Sequence, residues 1–324
     1  MVSGVLRVDG RRVRYAVSDN EATHGRDDVD GEPRWAVNVH GYFAGGGMYW
    51  RESANLAERF GWRVVNPCLP GFAGSDPLAS SSVGIDDFAA SVLEVLDHVG
   101  AGPAVVLGHS MGGAVAVAVA DTAPERVLGV VYRAGVATPA WRDRRGLVVT
   151  LVASVAPDVA GMADLSAAVA LDFPDLLIGR HPGSTMRMTF PDAGRNLRVT
   201  GRLVPIASML LRIDQRDQVA RVAASGIPLL PEWGCFDRIV TAAAAEEFAS
   251  ITGTSVVWVP GGHSWMLPRP QGQADILTHL PQGRAFVAAV DSRHRELAAL
   301  PRAGRSGRPM TSLPGPVGLG GHAV

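Results

Sequence analysis

"VVLGHSMGGAVAVAVA", Val105 to Ala120, sets a glycine-rich turn between two apolar runs. The fold turns on the conformation of the residues after Ser110. Gly112 to Ala120 alternates Ala and Val, a period that suits a strand, yet both residue types are apolar and a buried helix has the same composition. Placement separates the two. "PAVVLG" before it and "RVLGVVYRAG" after it are apolar strand-like runs. Parallel neighbours need a crossover, which is nearly always helical. The expectation is a strand, a tight turn at Ser110 and a buried helix starting just after it. With 38 Gly in 324 residues, a bare G-x-S-x-G carries little weight by itself, so the rest of the chain has to supply the context.

Moving outward, "VLRVDGRRVRYAV" alternates around Asp9-Gly10 and predicts a hairpin. "SDNEATHGRDDVDGEP" predicts an exposed loop. "RWAVNVH" and "WRVVNP" predict strands on either side of a helix over "YWRESANLAERFG" that stops at Gly61. "IDDFAASVLEVLDHVG" has helical spacing, acidic residues in its first turn and Gly100 at its end. From about 138 to 225 strand-like runs give way to helix-like ones, such as "DLSAAVALDFPDLLIG" and "LVPIASMLLRID". Strands resume with "IPLLPEW" and "SVVWVP", and "GRAFVAAVDSRHRELAAL" closes the pattern as a helix. The fold class is therefore α/β, a mostly parallel central sheet with helices on both faces and a helical cap insertion. The expected division is a core of residues 1–137 and 226–300, a cap over 138–225 and a disordered tail over 301–324.

Composition narrows the function. Hydrophobic residues make up 47% and charged ones 19%, and the net charge is −1, which gives no electrostatic case for nucleic acid. All 30 basic residues are Arg, so lysine Schiff-base chemistry is excluded. Two cysteines are too few for a disulfide framework and suit a reducing compartment. No apolar run has the length of a signal core or membrane span, so the expectation is a cytoplasmic protein without stable membrane insertion.

A serine at the start of a helix needs a base and an orienting acid to become a nucleophile. Of nine histidines, His263 in "VPGGHSWML" follows a strand and a Gly-Gly turn, at the strand end where open α/β sheets bind ligands. Asp237 in "LLPEWGCFDRIV" sits just past the preceding strand. The strand "VLGVVY" continues Arg133-Ala134-Gly135 and offers no acid, and Asp143 is farther along. Backbone N–H groups of Met111 and of Tyr42, in "NVHGYFAGGG", are the candidate oxyanion donors.

"HGYFAGG", "PGFAGSD", "GHSMGG", "WGCFDRIV" and "PGGHSWM" together resemble the α/β-hydrolase superfamily, of the esterase, lipase and haloperoxidase-like kind. The resemblance implies Ser110 as nucleophile, Asp237 as acid, His263 as base, Tyr42 and Met111 as oxyanion-hole donors, and no metal or organic cofactor. It implies an acyl-enzyme mechanism on a small-molecule acyl substrate, with an apolar carboxylic ester or lactone fitting the Ala-, Val-, Leu- and Met-rich cap. Carbon–carbon or thioester hydrolysis, acyl transfer, cofactor-free peroxidation and a non-catalytic binding protein on the same frame are the alternatives. Phe43, Trp50, His109, Arg133 and Trp265 are the pocket candidates. Arg133 has a second and favoured reading as an internal ion pair. Two departures from the family's usual pattern are the loop with Cys68-Leu69 before Pro70-Gly71 and Ala73 at a usual Gly position, its Cys68 read as a buried, inert thiol, and Arg133 at the end of a central strand.

Overall fold

A computed structural model describes residues 2–8, 10–18, 34–78, 83–142 and 182–299. The described residues form a sheet of eight strands: β1 (Val2–Val8), β2 (Arg11–Ser18), β3 (Trp35–Val39), β4 (Arg63–Pro67), β5 (Ala104–His109), β6 (Val127–Arg133), β7 (Leu229–Gly234) and β8 (Val257–Val259). Their order is β1-β2-β4-β3-β5-β6-β7-β8. From β4 to β8 all pairings are parallel, while β1 and β2 run antiparallel at one edge, joined through Gly10 at φ +79°.

The strands alternate into two cores, as a period of two requires. In β5, Ala104 and Val106 face one cluster and Val105 and Leu107 face the other. The first face is covered by α2 (Ile85–His98), α3 (Met111–Thr122), α6 (Arg216–Ala224) and α7 (Ala242–Thr252). The second is covered by α1 (Trp50–Phe60), α8 (Gly272–His279) and α9 (Pro281–Ala299). α1 ends at Gly61, whose φ of +69° needs no Cβ and whose N–H bonds the Ala57 carbonyl at 3.0 Å. α2 begins with the Asp87 carboxylate accepting the Gly84 N–H at 2.8 Å.

The Ala–Val run is helical, as its placement between parallel strands predicts. α3 is buried from Met111 to Ala120, because α2, α6 and the sheet enclose it. A helix that is apolar all round has to be interior.

The insertion contains α4 (Pro182–Leu197) and α5 (Thr200–Leu210). α6 falls within the range expected for the cap but packs on α3, so the chain has rejoined the core by Gln215. There the Gln215 N–H bonds the Ala137 carbonyl at 2.8 Å and its side chain bonds the Ala114 carbonyl at 3.1 Å. The expected elements at 18–33 and 164–179, the tail and Asp143 fall wholly or largely outside the described residues. Among the described residues no helix is long and apolar enough to cross a membrane.

Candidate active site

Ser110 links β5 to α3 with φ +56° and ψ −117°, a backbone conformation that a residue with a side chain holds only when its surroundings enforce it. Three hydrogen bonds enforce it. The Ser110 N–H donates to the Arg133 carbonyl at 2.9 Å, and its own carbonyl accepts from Gly113 at 2.9 Å and Val136 at 3.3 Å. The glycines allow the approach: a Cβ on Gly108 would strike the Gly112 carbonyl, and one on Gly112 would strike the Val39 carbonyl at the end of β3. The helix axis points its unpaired N–H groups at the serine.

Asp237 and His263 come together from the loops after β7 and β8. His263 Nδ1 donates to Asp237 Oδ2 at 2.8 Å, with both side chains at most 5% exposed. Asp237 Oδ1 accepts the N–H groups of Ile239 at 2.8 Å and Val240 at 2.9 Å, so the carboxylate is fixed before it reaches the imidazole. With Nδ1 donating, Nε2 of a neutral His263 is left as a proton acceptor.

His109, the residue before Ser110, ties this loop to the elbow. Its Nε2–H donates to the His263 carbonyl at 3.0 Å, and its Nδ1 accepts from the Tyr49 hydroxyl at 2.7 Å. A carbonyl can only accept, which fixes the tautomer. Burial and the neighbouring His263 and Arg133 push the pKa of His109 well below the ordinary imidazole value, so it is neutral.

The loop after β3 approaches from the other side. A Cβ on Gly41 would lie 3.1 Å from the Ser110 Cβ. His40 is fully buried; its Nδ1–H bonds the Gly41 carbonyl at 2.8 Å and its Nε2 accepts the Leu69 N–H at 2.9 Å. Burial lowers its pKa to about 4. The Tyr42 N–H has no acceptor among the described residues, and Met111 is the first residue of α3, so its N–H has no partner within the helix.

The pocket candidates separate on burial. Phe43, at φ +63°, is partly exposed beside Tyr42, and Trp50 is 38% exposed. Trp265 is packed instead in the second core against Gly261 and Gly272. His109 is buried by the bonds just described. Arg133 is fully buried and takes its ion-pair role: Nη1 bonds Glu52 Oε1 at 2.7 Å and Nη2 bonds Asn38 Oδ1 at 2.6 Å, while Asn38 Nδ2 bonds Glu52 Oε2 at 2.6 Å. Trp265, His109 and Arg133 are therefore all buried side chains. Cys68 is buried with its pKa pushed up to about 11 by desolvation and by Asp192, which keeps the thiol protonated.

Sequence reasoning missed Glu52, Asn38, Tyr49, Glu232 and Asn196. Two left a signal: Glu52 lies four residues before Leu56 on the apolar stripe of α1, and Asn38 interrupts an apolar strand.

The family model described as "alpha/beta hydrolase fold" matches residues 37–270. A protein of Mycobacterium phage D29 named as a non-heme haloperoxidase is 28% identical over 245 residues, 74% of this chain and 85% of that protein. Among solved structures, the enol-lactonase from Burkholderia xenovorans LB400 superposes with a TM-score of 0.61 at 18% identity, over 90% of this chain and 100% of that one. The esterase from Exiguobacterium antarcticum superposes with a TM-score of 0.62 at 19% identity, over 90% and 99%. Both show the same fold. A tight serine turn on a mostly parallel sheet, and a family match over most of the chain, agree: this chain belongs to the alpha/beta hydrolase fold family.

Proposed function

We propose that the chain is a serine hydrolase that cleaves a small-to-medium, apolar carboxylic ester or lactone through an acyl-enzyme. The observation that carries this reading is the Asp237–His263 hydrogen bond, made beside a strained serine turn whose neighbour His109 is bonded to the same His263. In this mechanism His263 Nε2 takes the Ser110 proton as the hydroxyl attacks the acyl carbonyl. Asp237 keeps the imidazole oriented and stabilises its positive form. The N–H groups of Tyr42 and Met111 hold the oxyanion, each donor being worth about 10²–10³ in rate. His263 then gives the proton to the leaving alcohol, and water, deprotonated by the same base, releases the acid. Tyr42 and Phe43, which follow the Gly41 that packs on Ser110, are the side chains proposed to meet the acyl group.

The test is covalent labelling by a fluorophosphonate together with a panel of p-nitrophenyl esters of increasing chain length and simple lactones. Wild type is expected to label once and turn over the shorter esters, and Ser110→Ala to do neither. Absence of labelling on wild type, or labelling that survives Ser110→Ala, refutes the reading.

A further inference from the structure

The loop carrying the Tyr42 amide is held from two sides, and one of them is the cap. On the core side, His40 bonds the Gly41 carbonyl, and the Tyr49 hydroxyl accepts the Gly41 N–H at 3.5 Å. On the cap side, three hydrogen bonds come from one side chain on α4. Asn196 is fully buried. Its Nδ2 donates to the carbonyls of Phe43 at 2.8 Å and Ala44 at 3.0 Å, and its Oδ1 accepts the Ala73 N–H at 2.7 Å. Two carbonyls can only accept and an N–H can only donate, so the partners fix the orientation of the amide.

Two of the three groups it grips belong to strained residues. Phe43 and Ala73 hold left-handed φ values of +63° and +49° without being glycine, and such conformations persist only where the surroundings impose them. At Ala73, Asn196 supplies the acceptor that restrains this conformation.

Other cap contacts reach the same loop. The Tyr42 hydroxyl donates to the Leu203 carbonyl of α5 at 3.2 Å. Asp192, one turn before Asn196, lies against Gly45 and Gly47, where an added Cβ would come 2.6 and 2.7 Å from its carboxylate. Residues 42 to 47 are thus met by the cap at Tyr42, Phe43, Ala44, Gly45 and Gly47. The Tyr42 amide lies between the fixed core-side hold and this one.

We infer that Asn196 is a positioning residue for the oxyanion loop, so that docking of α4 onto the core sets the Tyr42 amide in its working place. The inference rests on the serine-hydrolase reading above. Asn196 touches no reacting atom; it acts through the Phe43 and Ala44 carbonyls. Losing it should weaken the stabilisation of the charged tetrahedral state more than the binding of neutral ester.

The experiment uses the full chain and the variants Asn196→Ala, Asn196→Asp and Tyr42→Phe. Active sites are counted by fluorophosphonate, kcat and KM are measured on p-nitrophenyl butyrate, and affinity is measured for an arylboronic acid, which forms a tetrahedral anion on the serine. Because loss of a whole donor costs about 10²–10³ in rate, displacement of one should lower kcat per active site by about 10- to 100-fold in Asn196→Ala. KM should stay within about twofold, and boronate affinity should fall in parallel with kcat. Asn196→Asp, which sets an acceptor against two carbonyls, should lose at least as much. Tyr42→Phe, which removes only the hydroxyl bond to α5, should show the same pattern about threefold to tenfold weaker. It decides the matter if the Asn196 variants do not fold. A kcat per active site within twofold of wild type, or a fall in kcat without the fall in boronate affinity, overturns the inference. Wild type that neither labels nor cleaves the ester overturns the serine-hydrolase reading and this inference with it.

Discussion

At the scale of single residues, the pairing of hydrogen-bond donors with acceptors decides more than charge does. Asp237 commits one oxygen to two backbone N–H groups and the other to His263. Asp237→Asn should keep the first set, offer the imidazole the wrong partner, and lower kcat/KM by about 10³- to 10⁴-fold with little change in melting temperature. Glu232 is the opposite case. It is fully buried, takes one bond from Gln273 Nε2 at 2.8 Å, and burial lifts its pKa to about 8. A carboxyl whose folded pKa lies above its unfolded value of 4.5 favours the folded state most below pH 4.5. That contribution is lost as pH rises to about 8, at about 1.4 kcal/mol per unit across the window. Glu232→Gln removes the titration, so its melting temperature relative to wild type should climb between pH 4.5 and 8 and then level off. A difference that stays flat across that range would contradict the buried, protonated state. His40 works in the other direction, because a folded pKa of about 4 against 6.5 costs stability as pH falls through that interval.

At the scale of elements, the turn from β5 into α3 is a problem of clearance. Gly112 lies so close to the end of β3 that any Cβ would meet the Val39 carbonyl. Gly112→Ala should cost about 1–3 kcal/mol of overpacking, visible as a lower urea midpoint, and should also lower activity because Ser110 moves with it. This part of the fold is legible in the sequence, since local facts specify it: a strand-like run, closely spaced small residues and a crossover requirement. The end of α1 at Gly61 and the acidic start of α2 are legible for the same reason. The boundary of the cap is less so. α6 has the composition of a cap helix, and only its contact with α3 and the Gln215 bonds assign it to the core. Asn196 is invisible at that level, because its partners Phe43 and Ala73 lie 153 and 123 residues away and no spacing encodes that distance.

At the scale of the whole molecule, the site stands on a buried polar brace that crosses the sheet. Arg133 of β6, Asn38 of β3 and Glu52 of α1 bond one another inside the protein. Arg133→Met leaves the Glu52 carboxylate buried without its counter-charge, held only by Asn38, and should cost about 3–5 kcal/mol. Adding Glu52→Leu should restore most of that loss, and a double variant as unstable as the single one would show that the brace acts through something other than charge pairing. The sheet has a further consequence. Past the end of β6, the Gln215 N–H bonds the Ala137 carbonyl at 2.8 Å, so the segment between these two residues leaves and returns at one point of the frame. Whatever lies between can be exchanged as a cassette while the frame stays folded, which makes this stretch the natural place to graft new specificities. A transplant without its own counterpart to the Asn196 amide would give a well-folded but sluggish chimera.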